Sequence, residues 1–227
     1  MQFLIEAGIL LGAYFFGSVP FGVIVVKLMS GKDIRTIASG RTGGTNAMRA
    51  AGAWAGLLTG TLDVLKSAAT VWIAQAITPN VWMHVFTPIA AILGHNYSIF
   101  LIDRSPEGTL RLRGGAGGSA AGGGAFGLWP PAVLILVPCG LLIWYGIGYA
   151  SITTLSIGLM TILIFSVRAA LGLGPWEYII YGVLAEALLI WTLRPNIKRL
   201  MEGSERRHGL PARLRQRARP KGSKNKT

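Results

Sequence analysis

The stretch Gly117-Gly118-Ser119-Ala120-Ala121-Gly122-Gly123-Gly124-Ala125-Phe126-Gly127-Leu128-Trp129 decides the architecture of this chain. It is rich in small residues, carries no charge and stops at Pro130-Pro131. A straight crossing of a bilayer takes about 20 apolar residues, so this segment is too short to span. Small residues let neighbouring helices approach closely, and backbone at membrane depth must be shielded by protein or water. The segment therefore reads as a short or partly re-entrant helix enclosed by longer ones.

Working outward, longer apolar runs occupy roughly 3–29, 54–77, 81–101, 131–148, 152–170 and 173–193. The whole chain is 52% hydrophobic and only 14% charged, where a soluble domain carries roughly 25% charged residues. An all-α polytopic membrane bundle follows, with one domain over residues 1–200 and a basic tail, expected to be disordered, over 201–227. Thr78-Pro79-Asn80 is a turn between the second and third runs. The first run lacks a basic leader and a small-residue cleavage site, so it is a span and not a removed signal.

Charge sets the orientation. After Leu193 there are twelve Lys or Arg against two Glu, Glu202 and Glu205. The tail is thus expected on the cytoplasmic side, facing anionic lipid headgroups. The run shows no aromatic interleaving, which argues against a nucleic-acid partner. The 30–53 loop (Lys32, Arg35, Arg41, Arg49) and the 102–118 loop (Arg104, Arg111, Arg113) point to the same side. A cytoplasmic first loop places the N-terminus outside, and a cytoplasmic tail then demands an odd number of crossings. Counting the 117–129 segment gives about seven; five is the alternative. Residues 102–112 alternate around Pro106-Glu107-Gly108 and read as a small surface hairpin. The lone Cys139 excludes a disulfide within the chain, and no zinc pattern is evident.

Two stretches carry chemistry on that face. Ser39-Gly40-Arg41-Thr42-Gly43-Gly44-Thr45-Asn46-Ala47-Met48-Arg49 is a glycine-rich turn feeding a helix, with Thr45 as its expected N-cap. Orphan N–H groups and the positive end of the helix dipole make such a turn a phosphate site. Asn46 and Arg49 share a helix face. The alternative is a solvated basic loop. Arg113-Gly114-Gly115-Ala116-Gly117-Gly118-Ser119 repeats the pattern, with Ser119 at the expected N-cap. Asp63 and Lys66 lie inside the second run, as a site or as a structural ion pair. His95 and Asn96 end the third run and either bind substrate or cap the helix. Ser151, with Thr153 and Thr154, and Asn196, beside Arg194, Lys198 and Arg199, fall on the same side; interhelical bonding and interfacial anchoring are their alternatives.

Taken in order, these motifs resemble the bacterial acyl-phosphate:glycerol-3-phosphate acyltransferases of the inner membrane. The resemblance runs from Gly17-Ser18-Val19-Pro20-Phe21-Gly22 through Asp33-Ile34-Arg35, the 39–49 stretch and Leu62-Asp63-Val64-Leu65-Lys66. It continues through Gly94-His95-Asn96, the Arg113 turn and Tyr149-Ala150-Ser151 to Asn196-Ile197-Lys198-Arg199-Leu200. It implies a seven-helix multi-pass protein of the bacterial cytoplasmic membrane, a monomer, with its site open to the cytoplasm. The implied reaction moves a fatty acyl group from acyl phosphate to the 1-hydroxyl of glycerol 3-phosphate, giving lysophosphatidate and phosphate, with no metal or cofactor.

By position, the resemblance gives catalytic roles to Ser39, Asn46, Arg49, Ser151 and Asn196. Gly40, Arg41, Gly43, Gly44, Thr45, His95, Arg113, Gly114, Gly115 and Ser119 become substrate- or phosphate-binding residues, and Asp63 with Lys66 a supporting ion pair. The chain departs from the family pattern in four places. Arg41-Thr42 replaces Asn-Ile, Arg113 and Ala116 stand where two lysines are usual, Leu193 replaces a histidine, and about eight extra residues precede Arg113. Arg41 is the candidate to restore the lost charge. The His-x4-Asp pattern of other glycerolipid acyltransferases is absent: Ile89, Phe100 and Arg213 follow the three histidines at that spacing. A diverged protein acting on another phosphorylated polyol, an organic-phosphate transporter and a purely structural membrane protein are the rival readings.

Overall fold

The computed structural model describes residues 1–104, 108–207 and 209–210. Among them are nine α-helices and one two-stranded hairpin. The helices are α1 (Gln2–Ser18), α2 (Phe21–Ser30), α3 (Gly44–Ala51), α4 (Ala53–Ile77), α5 (Val81–Asn96), α6 (Gly118–Leu128), α7 (Val133–Gly146), α8 (Ala150–Ala170) and α9 (Glu177–Met201). Four stretches are long and apolar enough to cross a membrane: 2–30, 53–77, 150–170 and 177–201.

The short segment is the hub. As α6 it is 11 residues, about 16 Å long at ~1.5 Å per residue, half a bilayer. Its glycines are sites of backbone contact. A Cβ on Gly123 would lie 2.2 Å from the Val64 carbonyl oxygen of α4, and one on Gly127 2.7 Å from Val71 Cβ. The Tyr181 hydroxyl of α9, fully buried, donates to Ala121 O at 2.6 Å. Around α6 the main core gathers Val71, Val85, Ile92, Phe165, Tyr181 and Leu189.

Two prolines shape the long helices. Pro20 interrupts the first apolar run, and the break takes the Ser18 and Val19 carbonyls out of the helical ladder. They accept instead from Ser98 Oγ (2.6 Å) and Lys66 Nζ (2.9 Å). Pro195 lies inside α9 and has no N–H for the Trp191 carbonyl four residues back. Arg194 Nε donates to that carbonyl at 3.0 Å, and α9 runs on to Met201, beyond the expected end near 193. In the opposite sense α5 stops at Asn96, short of the expected 101, where Ser98 N–H and Arg113 N–H begin a turn-and-strand network.

Asn80 caps α5 by accepting from Trp82 N–H at 3.1 Å, which closes the expected 78–80 turn. The expected hairpin is present as β1 (Ile102–Arg104) and β2 (Leu110–Leu112), antiparallel with Asp103 opposite Arg111. Residues 202–207 turn back onto α8, where Arg207 Nε donates to the Tyr149 hydroxyl at 2.7 Å. Most of the tail, from 211 to 227, lies outside the described residues.

Candidate functional site

Three helix N-termini, those of α3, α6 and α8, border one cavity of about 500 Å³. None of the three carries a side-chain cap. Apart from Asn46 N–H, which donates to Gly43 O at 3.0 Å, their first-turn amides have no intrahelical acceptor and leave positive dipole ends facing the space. Four arginines, Arg41, Arg49, Arg199 and Arg206, add formal charge against a single acid, Glu205.

The expected caps are displaced. Thr45 is not the N-cap of α3; Gly43 is, in an extended conformation, so Thr45 falls inside the first turn. The following Gly44 packs on α4, where a Cβ would meet Gly56 O at 2.8 Å, and this contact sets the helix start earlier. Ser119 is likewise not the cap of α6. Gly117 holds that position at φ +92, and a Cβ there would collide with Asn96 and Leu189. Close packing requires glycine at Gly44 and at Gly117, and a glycine N-cap has no side chain to bond the first-turn amides.

The 34–46 loop is organised by Asn46. Its Nδ2 donates to the carbonyls of Ile34 (3.2 Å), Ile37 (3.0 Å) and Arg41 (2.8 Å). Donation on that side fixes the amide orientation and turns Oδ1, which is buried and has no partner, into an acceptor. Ala38 and Gly40 both take left-handed backbone, at φ +48 and +68, and Ser39 Oγ accepts from Arg41 N–H at 3.4 Å. Ser39, Gly43, Gly44, Thr45, Asn46 and Arg49 line the cavity. Burial lowers the pKa of both Arg41 and Arg49, and the neighbouring arginines, Arg199 and Arg206 respectively, lower it further.

On the opposite wall, Ser151 Oγ donates to Glu205 Oε2 at 2.5 Å and Asn196 Nδ2 donates to Glu205 Oε1 at 3.1 Å. Asn196 therefore also holds its Oδ1 as a buried, unpartnered acceptor. Glu205 was not singled out from the sequence. Its only signal there is an isolated acid, nine residues past Asn196, inside a basic run. Arg199, read as an anchor, lines the cavity, as do Arg206 and Leu193.

Several expected binding residues stand elsewhere. Arg113 is not among the cavity-lining residues; its Nη2 pairs with Asp103 of β1 at 2.6 Å. Gly114 and Gly115 pack on the end of α5, where their Cβ atoms would meet His95 O at 2.2 Å and His95 Nε2 at 1.9 Å. The Gly115 N–H donates to His95 O at 2.8 Å, so it offers nothing to an anion. Gly40 turns the loop beside Arg35 O without lining the cavity. His95 lines the cavity, as does Ser119, but its Nδ1 faces Asp63 Oδ1 at 3.4 Å. Asp63 and Lys66 form a buried pair at 2.8 Å. With the Lys66 bond to Val19, the pair bolts α4 to the Pro20 break, which is a structural role.

A helical integral-membrane bundle with a cationic cavity is the class that this fold and site define. The sequence matches the family profile described as "Glycerol-3-phosphate acyltransferase" over residues 7–203, and the chain belongs to that family. It is 38% identical over 206 residues to a glycerol-3-phosphate acyltransferase of Thermus thermophilus, covering 91% of this chain and 96% of that one. The Rubrobacter xylanophilus glycerol-3-phosphate acyltransferase is 34% identical over 207 residues, with the same coverage of 91% and 96%. Among solved structures, the integral membrane glycerol 3-phosphate acyltransferase PlsY in its glycerol 3-phosphate form superposes with a TM-score of 0.76 at 31% identity, covering 92% of this chain and 98% of that one. Its lysophosphatidic acid form gives 0.72 at 30% identity, covering 93% and 99%.

Proposed function

We propose that this protein transfers a fatty acyl group from acyl phosphate to the 1-hydroxyl of glycerol 3-phosphate, releasing lysophosphatidate and inorganic phosphate. The observation that carries this reading is the convergence of three uncapped helix N-termini and four arginines on one cavity. Two phosphorylated substrates need two anion sites, and one dipole end with one cation serves each. The names of the relatives and of the solved PlsY forms support glycerol 3-phosphate as acceptor.

Arg49 and the first turn of α3 hold the glycerol phosphate. Asn46 Oδ1 and Asn196 Oδ1, both buried and unpartnered, accept from the glycerol hydroxyls. The 1-hydroxyl oxygen attacks the acyl carbonyl carbon, the bond from that carbon to the phosphate oxygen breaks, and phosphate leaves with the electron pair. A phosphoryl oxygen takes the hydroxyl proton. Acyl phosphate carries a good leaving group, so holding the two reactants in contact supplies much of the acceleration. Ser151 and Glu205 orient Asn196 and do not touch the proton in flight.

The seven apolar segments read from the sequence, with the 39–49 loop and residues 204–206 on the cavity side, support seven membrane segments, an outside N-terminus and a cytoplasmic site in the bacterial inner membrane. The basic tail would face anionic lipid. The closed Asp63–Lys66 pair is not among the residues lining this cavity, which favours an enzyme over a transport path. Purified protein given acyl phosphate and glycerol 3-phosphate is expected to form lysophosphatidate and phosphate in equal amounts. Formation from acyl thioester alone, or from neither donor, would overturn the reading.

A further inference from the structure

Arg41 is placed unlike any other cation among the described residues. Its Nη2 donates at 2.6 Å to the carbonyl of Thr192, 151 residues away on α9. Its Nη1 is buried and has no hydrogen-bond partner, while the residue lines the cavity. Burial disfavours its charge, and the next largest influence is another cation, Arg199. A guanidinium nitrogen withdrawn from water without an acceptor is a donor awaiting a ligand, and a doubly charged oxygen cluster suits it best.

The surroundings say which ligand. The turn of α9 that holds Arg41 also reaches α6: Thr192 Oγ1 accepts from Asn96 Nδ2 at 3.0 Å, and Asn96 Oδ1 lies against Gly117, the uncapped N-cap of α6. Arg41 and the α6 amides thus belong to one cluster. Arg49 is set apart by Asn46 on its own helix and by Arg206 as its charged neighbour, with Glu205 acting on both arginines. Asn46 Oδ1 goes with Arg49, which lies three residues on along the same helix, and Asn196 Oδ1 is a second acceptor among the cavity-lining residues, held through Glu205.

We propose that Arg41, anchored by the Thr192 carbonyl beside the N-terminus of α6, binds the phosphoryl group of the acyl donor, and that Arg49 binds that of the polyol. The Pro195 kink makes this possible. It removes the helical donor to the Trp191 carbonyl, which accepts from Arg194 instead, and the next carbonyl, that of Thr192, accepts from Arg41. Arg113, paired with Asp103, leaves this task to Arg41. The assignment rests on the transferase reading above and adds which cation serves which substrate.

The test is steady-state kinetics of Arg41→Gln in lipid nanodiscs, with a thermal-shift titration by inorganic phosphate. The KM for acyl phosphate is expected to rise about 10- to 100-fold, with the KM for glycerol 3-phosphate within about twofold of wild type. With saturating glycerol 3-phosphate filling the Arg49 subsite, the further stabilisation that phosphate gives wild type should be lost, with the unliganded melting temperature unchanged within about 2 °C. An unchanged KM for acyl phosphate, or a rise confined to glycerol 3-phosphate, overturns the assignment. So does a lower unliganded melting temperature with the phosphate response retained, because Arg41 is then only a strut. Should Arg41→Gln not fold, Arg41→Lys takes its place. One ammonium cannot serve both Thr192 and a phosphoryl group in the guanidinium's geometry, and an unchanged acyl-phosphate KM there also overturns the proposal. If wild type transfers no acyl group, the transferase reading fails; the phosphate titration of wild type against Arg41→Gln still decides the subsite.

Discussion

Gly123→Ala and Gly122→Ala differ by one position on α6 and should have opposite effects. A Cβ at Gly123 would lie 2.2 Å from the Val64 carbonyl oxygen and 2.9 Å from Val64 C and Cα, all backbone atoms of α4 that cannot turn aside. A Cβ at Gly122 meets only Ile157 Cγ2 at 3.6 Å, an ordinary contact. Both substitutions gain about 0.5–1 kcal/mol of helix propensity. At 123 the gain is outweighed by overpacking, which typically costs about 1–3 kcal/mol and more when two helices must separate. The propensity gain is common to both, so the two variants should differ by the overpacking cost, about 1–3 kcal/mol. For a chain of this size that is a gap of several degrees in melting temperature. The assay is thermal unfolding of both purified variants in the same detergent, with glycerol 3-phosphate KM measured alongside. Because α6 carries one wall of the cavity, Gly123→Ala should also weaken substrate binding, and Gly122→Ala should not. Equal melting temperatures would refute the placement of α6 against α4.

Asn46→Asp replaces the Nδ2 donor with an oxygen facing three carbonyls. It should cost at least about 2 kcal/mol in stability and about 100-fold in kcat/KM, since the loop bearing Arg41 shifts; activity within threefold of wild type would contradict the clamp. Glu205→Ala releases both Ser151 and Asn196 and should lower kcat/KM about 10- to 100-fold, whereas Glu205→Gln keeps one acceptor for Asn196 and should lose less; the order of the two in an initial-rate assay is the check. The Asp33 carboxylate is held at about 2 by the Arg35 side chain first and the Arg35 backbone N–H second. A lowered folded value means its contribution is complete above the ordinary carboxylate range near pH 4 and is lost as pH falls through about 2. The melting-temperature difference between wild type and Asp33→Asn should therefore be constant from pH 7 to 5 and shrink below pH 4.

The apolar runs made the bundle legible, because a lipid-facing helix must show its length and composition on every face. The short 117–129 segment was legible for the opposite reason: only glycine and alanine allow the approach that α6 makes to Val64 and Val71. Helix ends were read less well. Thr45 and Ser119 look like caps in sequence, yet glycines two residues earlier take that place, because contacts with α4 and α9 are invisible to a local pattern. The inward turn of Arg41 depends on a carbonyl 151 residues away, and the outward turn of Arg113 on Asp103 across the hairpin. Neither partner can be inferred from spacing. Glu205 was hidden for a similar reason: an acid in a basic tail reads as solvated until the chain turns back and places it between Ser151 and Asn196.

If the proposed chemistry is right, acyl phosphate and glycerol 3-phosphate meet in the cavity bordered by α3, α6 and α8. The most direct measurement follows lysophosphatidate and phosphate release together, in nanodiscs, for wild type and Arg49→Ala across glycerol 3-phosphate concentrations. Wild type is expected to give equimolar products, and Arg49→Ala a rise in glycerol 3-phosphate KM of about 100-fold or more, as loss of a partly desolvated arginine–phosphate pair implies. Unchanged kinetics in Arg49→Ala, or phosphate release without lysophosphatidate in wild type, would contradict it.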